Sequence, residues 1–314
     1  MTGPRVALVL NPSSRRAPAA RRAVESACAA AGLGRPLVLE TTVEQPGPDQ
    51  ARYAVSQGVG RVVVAGGDGT ARLVAGALAG AAPIAADHAA VVTLGVVPVG
   101  TANLFARSAR LPLSDLAAAA RLAVTGPGRP TDLGRALLLD AVGAGEEHPF
   151  LVVTGLGHDA ATLAAVRPAH KARVRWLAYF WPGLRRLLRP GHPLTLTGDG
   201  RPVDAGPLWS LLAVNAARLP GGARVVPGAG LDDGLLHLVL VSPDGPIGWI
   251  RVARTGLSTR RHHPPDHPAL RYRTAREVVV RSDVPVPAQV DGDVVHHVVE
   301  ARVRLEPAAL SVAR

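Results

Sequence analysis

The sequence predicts an α/β domain built on a parallel sheet over residues 1–130, followed by a β-rich, sandwich-like domain over residues 131–314. Two observations carry the first half. Short β-branched runs alternate with helix-like stretches, the pattern of a parallel sheet covered on both faces, and a polar or glycine-rich turn follows each strand. The third observation is a change of pattern after the Pro/Gly-rich linker 126–130, where short strands separated by turn residues take over. The C-terminal segment is expected to pack back on the first domain.

Bulk composition agrees. The chain has 314 residues, 47% of them hydrophobic, enough for two domains with cores of their own. A single cysteine, Cys28, excludes an internal disulfide framework and is expected to be a small buried hydrophobe in a reducing, cytoplasmic compartment. The apolar run near the N-terminus is too short for a signal peptide, and no eighteen apolar residues follow one another without charge or proline. Net charge is +11 and almost wholly arginine, since Lys171 is the only lysine. A Walker A loop needs Gly-Lys-Ser/Thr, and that tripeptide is absent.

In chain order, residues 6–10 predict a strand that runs into the polar turn Asn11-Pro12-Ser13-Ser14-Arg15 and a helix over 17–31. Residues 37–40 repeat the pattern with Thr41 and Thr42 at the end, and 50–57 reads as a helix. Residues 62–65 are a buried strand ended sharply by Gly66, Gly67 and Gly69, with a helix over 71–78 and Thr70 as its expected N-cap. Glycines let a ligand approach the backbone, and the helix start favours phosphate. Asp68, a carboxylate inside such a turn, suggests a metal-bridged or ribose-bearing phosphate ligand. Residues 91–98 form a fourth strand, and Gly100-Thr101-Ala102-Asn103 is a second Gly-Thr turn before a helix.

Past the linker, strands are predicted at 133–139, 150–154, 194–197, 208–215, 235–241, 277–281 and 300–305, with helices only at 170–188 and 245–257. Residues 166–190 hold Arg167, Lys171, Arg173, Arg175, Arg185, Arg186 and Arg189 with no acidic residue, interleaved with Trp176, Tyr179, Phe180 and Trp181. That pattern fits an interfacial element on anionic headgroups, with an ordinary amphipathic helix or a homodimer contact as the other reading. A second basic run, 251–281, is expected on loops and helix faces. No nucleic-acid recognition motif accompanies either run, so no nucleic-acid partner is expected.

Asn11-Pro12-x-Ser14, Gly66-Gly67-Asp68-Gly69-Thr70 and Pro98-x-Gly100-Thr101-x-Asn103-x-x-Ala106-Arg107 together resemble the diacylglycerol kinase catalytic-domain family. Bacterial lipid kinases and the sphingosine and ceramide kinases belong to it, and its fold is similar to that of NAD kinase. The resemblance implies a nucleotide-binding first domain, a β-rich second domain and an active site in the cleft between them. It implies ATP contacts at Asn11, Pro12, Ser13, Ser14, Thr42, Gly66, Gly67, Asp68, Gly69, Thr70, Gly100, Thr101 and Asn103. It also implies a Mg2+ loop in Gly228 to Leu235, with the Asp233 carboxylate and the backbone oxygens of Gly230 and Leu235 as ligands. In Gln289-Val290-Asp291-Gly292-Asp293 the last carboxylate stands where the family keeps Glu as the base for a lipid hydroxyl, one methylene shorter here. The same five residues read as a hairpin turn. Asp68 and Asp132 are the candidates to hold the Mg2+ that accompanies ATP.

The chain departs from the family pattern at Arg15, at Arg72-Leu73 and at Leu104. The implied activity is phosphorylation of a diacylglycerol-like lipid by a cytoplasmic protein peripheral to the inner face of the membrane. A catalytically silent regulator and an NAD-kinase-like small-molecule kinase are the alternatives.

Overall fold

The computed structural model describes residues 5–80, 91–160, 189–215, 226, 228–256 and 267–314, with the side chains of 253, 255 and 256 left aside. Contacts divide the chain into two compact units, Met1–Leu133 with Pro307–Arg314, and Gly134–Glu306.

The first unit is a parallel sheet. β1 (Val6–Leu10) lies between β2 (Leu37–Glu40) and β3 (Arg61–Gly66), and β3 pairs beyond it with β4 (Thr93–Pro98), in a register that sets Leu8 beside Val63 and Gly66 beside Pro98. On the outer edge of β4, Ser311 and Val312 add a last parallel pairing. β1 and β4 are buried along their whole length, and apart from Thr93 at the start of β4 they are made of apolar residues and glycine.

Helices cover the strands. α1 (Ala17–Ala30) and α5 (Leu116–Thr125) share one core with β1, β3 and β4, into which Val24, Cys28, Ala120 and Val124 are buried beside Leu8, Val63 and Val97. Cys28 is a free thiol whose pKa burial pushes up. α2 (Pro48–Ser56) begins on Pro48 after Gly47, and α3 (Asp68–Ala79) follows β3 directly. The expected cap moves: Gly67 holds the N-cap position, and Thr70 lies within the first turn. The helix can follow β3 at once because Gly66 leaves room for Thr70, whose Cβ would lie 2.8 Å from any Cβ at that position. α5 has no counterpart in the sequence reading, because its alanine-rich stretch lacks strong periodicity. Its start is fixed by the Asp115 carboxylate, which accepts from Ala118 N at 2.9 Å. Its end is fixed by Arg61, which donates to Ala123 O and Gly126 O at 2.9 and 3.0 Å.

The second unit is antiparallel and β-rich. β13 (Leu270–Ala275), β12 (Leu236–Val241), β11 (Ser210–Val214), β7 (Val153–Gly157), β14 (Glu277–Val290) and β15 (Asp293–Ala313) follow one another across the sheet. β8 (His192–Gly198) pairs with β14 and with the short β9 (Arg201–Val203) and β10 (Pro207–Leu208). β5 (Gly128–Leu139), which starts in the first unit, forms a hairpin with β6 (Gly145–Phe150). Phe150, Leu208, Leu211, Leu236 and Leu238 fill the core, and α6 (Gly245–Gly256) packs Trp249 and Val252 against Val239, Val241 and Leu270.

Three expectations change here. The strand expected over 150–154 is broken, because the N–H groups of Leu151, Val152 and Val153 turn to the Asp291 carboxylate at 2.8, 3.0 and 2.8 Å. β14 and β15 run far past 277–281 and 300–305. Pro285 and Pro287 suggest a break, and the ladder passes them by shifting register between Arg281 and Val286 and again before Ala288. Much of the second basic run sits on strands, with Arg271 and Arg273 in β13 and Arg281 in β14. The basic and aromatic stretch and the helix expected at 170–188 lie outside the described residues, apart from Arg189 and Pro190.

The β14–β15 turn is Asp291-Gly292, with φ 47° and 95°, and Val290 pairs with Asp293. Positive φ at both centres is the two-residue hairpin turn that Asp-Gly favours. Replacing Asp291 by Ala removes the acceptor of three backbone N–H groups and leaves at φ 47° a residue less suited to the left-handed region than Asp. Unfolding in urea is expected to show a loss of about 3 kcal/mol or more, with Asp291→Asn intermediate. Equal stability of Asp291→Ala and wild type would contradict this account.

Candidate functional site

In a parallel sheet the strands' carboxyl ends are where ligands meet the chain. Here the turns after β1, β3 and β4 are tied into one surface by the backbone itself. Asn11 N donates to Ala65 O at 3.0 Å, Val99 N to Gly66 O at 3.2 Å, and Ser14 Oγ to Val99 O at 2.9 Å. Within the first turn, Asn11 Oδ1 accepts from Ser13 N and Ser13 Oγ at 3.0 and 2.6 Å. Pro12, Ser13 and Arg15 are exposed.

The two glycine turns touch. A Cβ on Gly100 would stand 2.6 Å from Gly67 Cα, which no real side chain tolerates, so only glycine fits there. Asn103, buried and left-handed with φ 49°, donates from Nδ2 to Gly100 O at 2.8 Å and so closes the second turn. α4 (Leu104–Ser108) starts on it. Thr42 stands at the end of β2, its hydroxyl accepting from Gln45 N at 3.0 Å, and Thr101 is exposed. The structure therefore gathers Asn11 to Ser14, Gly66 to Thr70 and Gly100 to Asn103 into one array.

Asp68 has a role in that array which its sequence position did not suggest. Its Oδ1 accepts from Phe105 N at 3.0 Å, so the carboxylate from the start of α3 receives the start of α4. Burial pushes its pKa up, against the pull of the N–H groups of Phe105, Leu104 and Asn103 and the charge of Arg107. Of the departing residues, Leu104 opens α4 and Arg72 is buried within α3. Asp132 is 2% exposed and accepts from Ala308 N at 2.7 Å, which fastens Pro307–Arg314 to the first unit.

Asp233 and Asp293 belong to the second unit. Asp233 accepts from Gly230 N at 2.8 Å and from Leu235 N at 3.0 Å, and lies 2.9 Å from His237 Nε2. Burial raises its pKa, but His237 and the two N–H groups outweigh it, and the net shift is downward. Asp293 opens β15 and is exposed.

These carboxylates permit a test of the magnesium expectation. Among the described residues no three His, Cys, Asp or Glu side chains gather into a metal cluster. A carboxylate offers about four lone-pair positions, so Asp68 and Asp233 have acceptor capacity beyond the hydrogen bonds named, while Asp132 is nearly sealed from solvent. That fits an ion held by single carboxylates, backbone carbonyls and water.

Asp159 is a buried carboxylate beside the Asp291-Gly292 turn that the sequence reading did not single out. It follows β7 in the glycine-rich Thr154–Ala160 stretch, and that setting is the signal that could have found it. Residue 159 is half-buried as a whole, yet its Oδ1 is sealed from solvent. Burial pushes its pKa up to about 6, against contacts with Ser210, Ala160 N and Gln289. Gln289 also accepts from Gly292 N at 2.9 Å, and its own carbonyl accepts from Thr154 Oγ1 at 2.8 Å. Asp159 thus adjoins the residue that buttresses the Asp291-Gly292 turn.

Because the native pKa of Asp159 exceeds the ordinary 3.8, the folded state holds this proton more tightly than the unfolded chain. The contribution of this group to stability is expected to be full below pH ~4, to fall by about 3 kcal/mol as pH rises through ~6, and then to level off. Asp159→Asn should abolish that component of the pH dependence in urea titrations. An unchanged slope between these values would show that Asp159 titrates normally.

Comparison with known proteins agrees with this architecture. The family model of the diacylglycerol kinase catalytic domain matches residues 5–136, and that of the YegS C-terminal NAD kinase beta sandwich-like domain matches residues 152–314. A diacylglycerol kinase of Bacillus subtilis is 29% identical over 255 residues, 81% of this chain and 77% of that one. A probable lipid kinase YegS-like of Xanthomonas euvesicatoria is 36% identical over 214 residues, 67% of this chain and 66% of the relative, just under two thirds of its length. The crystal structure of a putative diacylglycerol kinase from Bacillus anthracis superposes with a TM-score of 0.72 at 20% identity, covering 100% of this chain and 98% of that one, which speaks for the fold. The two family models between them account for both units, and the chain belongs to the diacylglycerol kinase and YegS-like lipid kinase family.

Proposed function

We propose that the protein transfers the γ-phosphoryl group of ATP to the hydroxyl of a diacylglycerol-like lipid, as a peripheral protein at the cytoplasmic face of the membrane. The observation that carries this reading is the array at the strand ends, three polar turns hydrogen-bonded into one surface with two glycines in contact. Small residues and backbone N–H groups at helix starts suit phosphate, and phosphoryl transfer asks mainly for positioning and charge stabilisation.

In this mechanism Asn11 to Ser14, Thr42, Gly66 to Thr70, Gly100, Thr101 and Asn103 hold the nucleotide. Asp293 accepts the proton of the lipid hydroxyl as its oxygen bonds to the γ-phosphorus. The bond from that phosphorus to the β–γ bridging oxygen breaks, and ADP leaves with the electron pair. Asp293 then returns its proton to solvent. Its exposure at the head of β15 leaves it accessible, directly after the Asp291-Gly292 turn. Magnesium would neutralise the phosphate oxygens, held through water by Asp68 and Asp132, while Asp233 with the carbonyls of Gly230 and Leu235 would hold an ion that orders its loop.

Labelled ATP with a short-chain diacylglycerol in detergent micelles tests the reading. Asp293→Asn is expected to lower kcat by roughly 100-fold or more with ATP affinity unchanged, and Asp293→Glu to retain activity. Transfer that survives Asp293→Asn would remove the base from Asp293. One observation favours a second reading, a nucleotide-binding regulator, because Asp68 already serves the start of α4. ATP binding by the wild type without transfer to any lipid would establish it.

The loop has its own test. Asp233→Asn is expected to cost about 1–3 kcal/mol in chelator, because three donors lose a charged acceptor. Added Mg2+ should raise the melting temperature of the wild type but not of the variant. An equal response of both proteins would take the ion away from Asp233.

A further inference from the structure

The helix α6 is apolar on two faces. At about 100° per residue, Gly248, Trp249 and Val252 fall on one side, while Ile247, Ile250, Arg251 and Arg254 fall within a stripe about 100° wide on the other. The first side is spent on the core, where Trp249 and Val252 pack against Val239, Val241 and Leu270, and Trp249 meets Trp209 edge to face at 4.8 Å. The second side faces solvent. Ile247 is 66% exposed and Ile250 59%, with Arg251 and Arg254 exposed beside them.

Single exposed apolar side chains need no explanation. The other large hydrophobics counted as exposed among the described residues, Val43, Tyr53, Val91, Val142 and Val284, stand apart in sequence from one another. Ile247 and Ile250 are one helical turn apart on a helix without a single acidic residue, and the last turn is basic. Two isoleucines to enter an apolar boundary and two guanidinium groups to meet anions above it make an interfacial helix face. A protein contact would satisfy the isoleucines, but Arg251 and Arg254 on a chain of net charge +11, with Asp244 just before the helix as the one exposed carboxylate beside the stripe, complement an anionic surface.

We infer that the Ile247, Ile250, Arg251 and Arg254 face of α6 docks the protein on an anionic phospholipid surface. The inference rests on the lipid-kinase reading, since a lipid substrate must be met at a surface when no described helix is long and apolar enough to cross a membrane. Isoleucine side chains enter the headgroup boundary, and the arginine stems lie along it with their charges at the phosphates. Trp249, on the opposite side, couples the docked helix to β11, β12 and β13.

Sedimentation with vesicles tests this on the full chain. Wild type is expected to bind vesicles of phosphatidylcholine mixed with phosphatidylglycerol and to leave those of phosphatidylcholine alone. Arg251→Glu with Arg254→Glu should weaken binding by at least about tenfold, and Ile247→Ser with Ile250→Ser by a similar factor that added salt does not restore. The positions are exposed, so unchanged melting temperatures confirm that both variants fold. Lipid phosphorylation in detergent micelles is measured in parallel and should be unaffected. Wild-type binding of anionic vesicles by both variants would overturn the inference, as would a wild type that phosphorylates micellar lipid but binds no vesicle. A dimer that dissociates in the Ile247→Ser, Ile250→Ser variant would overturn it in favour of a contact between two copies. Absence of any lipid phosphorylation by the wild type would instead remove the kinase reading beneath it.

Discussion

The contact between Gly67 and Gly100 governs the first unit. β3 and β4 are adjacent and parallel, their ends in register at Gly66 and Pro98, so the turns that follow must share one small space. A Cβ at Gly100 would approach Gly67 Cα to 2.6 Å, and either the turns or the strand pairing would have to give. Everything else at this edge adapts to that closeness. Asn103 takes a left-handed backbone and bonds back to Gly100, and Asp68 reaches across to the start of α4. The two glycine motifs are therefore one structural device before either is a binding element.

Carboxylates that accept backbone N–H groups recur throughout the molecule. Asp68 joins α3 to α4, Asp132 fastens the C-terminal segment, Asp233 folds its own loop and Asp291 halts a strand. Each replaces a missing ladder or cap partner with a carboxylate oxygen. Acidic residues are scarcer than basic ones in this chain, 24 against 35, and several of them are committed to backbone in this way. Asp159 differs in kind. Its buried carboxyl lies beside Gln289 and Ser210, and its raised pKa records solvation that these partners do not replace.

How much was legible in the sequence follows from how local each cause is. The strands of the first unit and the three polar turns were readable because a β-branched run, a glycine turn and a helix start are consecutive. The Asp291-Gly292 hairpin was readable for the same reason. What escaped depends on partners far along the chain. Asp68 meets Phe105 across 37 residues, Asp132 meets Ala308 across 176, and Leu151 leaves its ladder for an acceptor 140 residues away. α5 escaped because its alanine-rich stretch lacks strong periodicity, although Asp115 and Gly126 mark its two ends. The roles of the site carboxylates were the least legible part, since an aspartate that binds backbone and one that binds a ligand are the same letter in the same kind of turn.

This distinction orders the two halves of the proposed chemistry. In the first unit the backbone builds the site, and side chains mostly hold the backbone in place, so substitutions such as Arg15 and Leu104 at the turns leave the array intact. In the second unit the proposed work falls on exposed side chains, Asp293 at a hairpin and the isoleucine and arginine stripe of α6. A backbone-built cradle tolerates drift in sequence, because only glycine positions and register are demanding. A side-chain-built surface tunes its specificity one residue at a time. Family members that share the nucleotide half should on this argument differ most in the second unit, where a single methylene at Asp293 or a single charge on α6 alters which lipid is met and how closely.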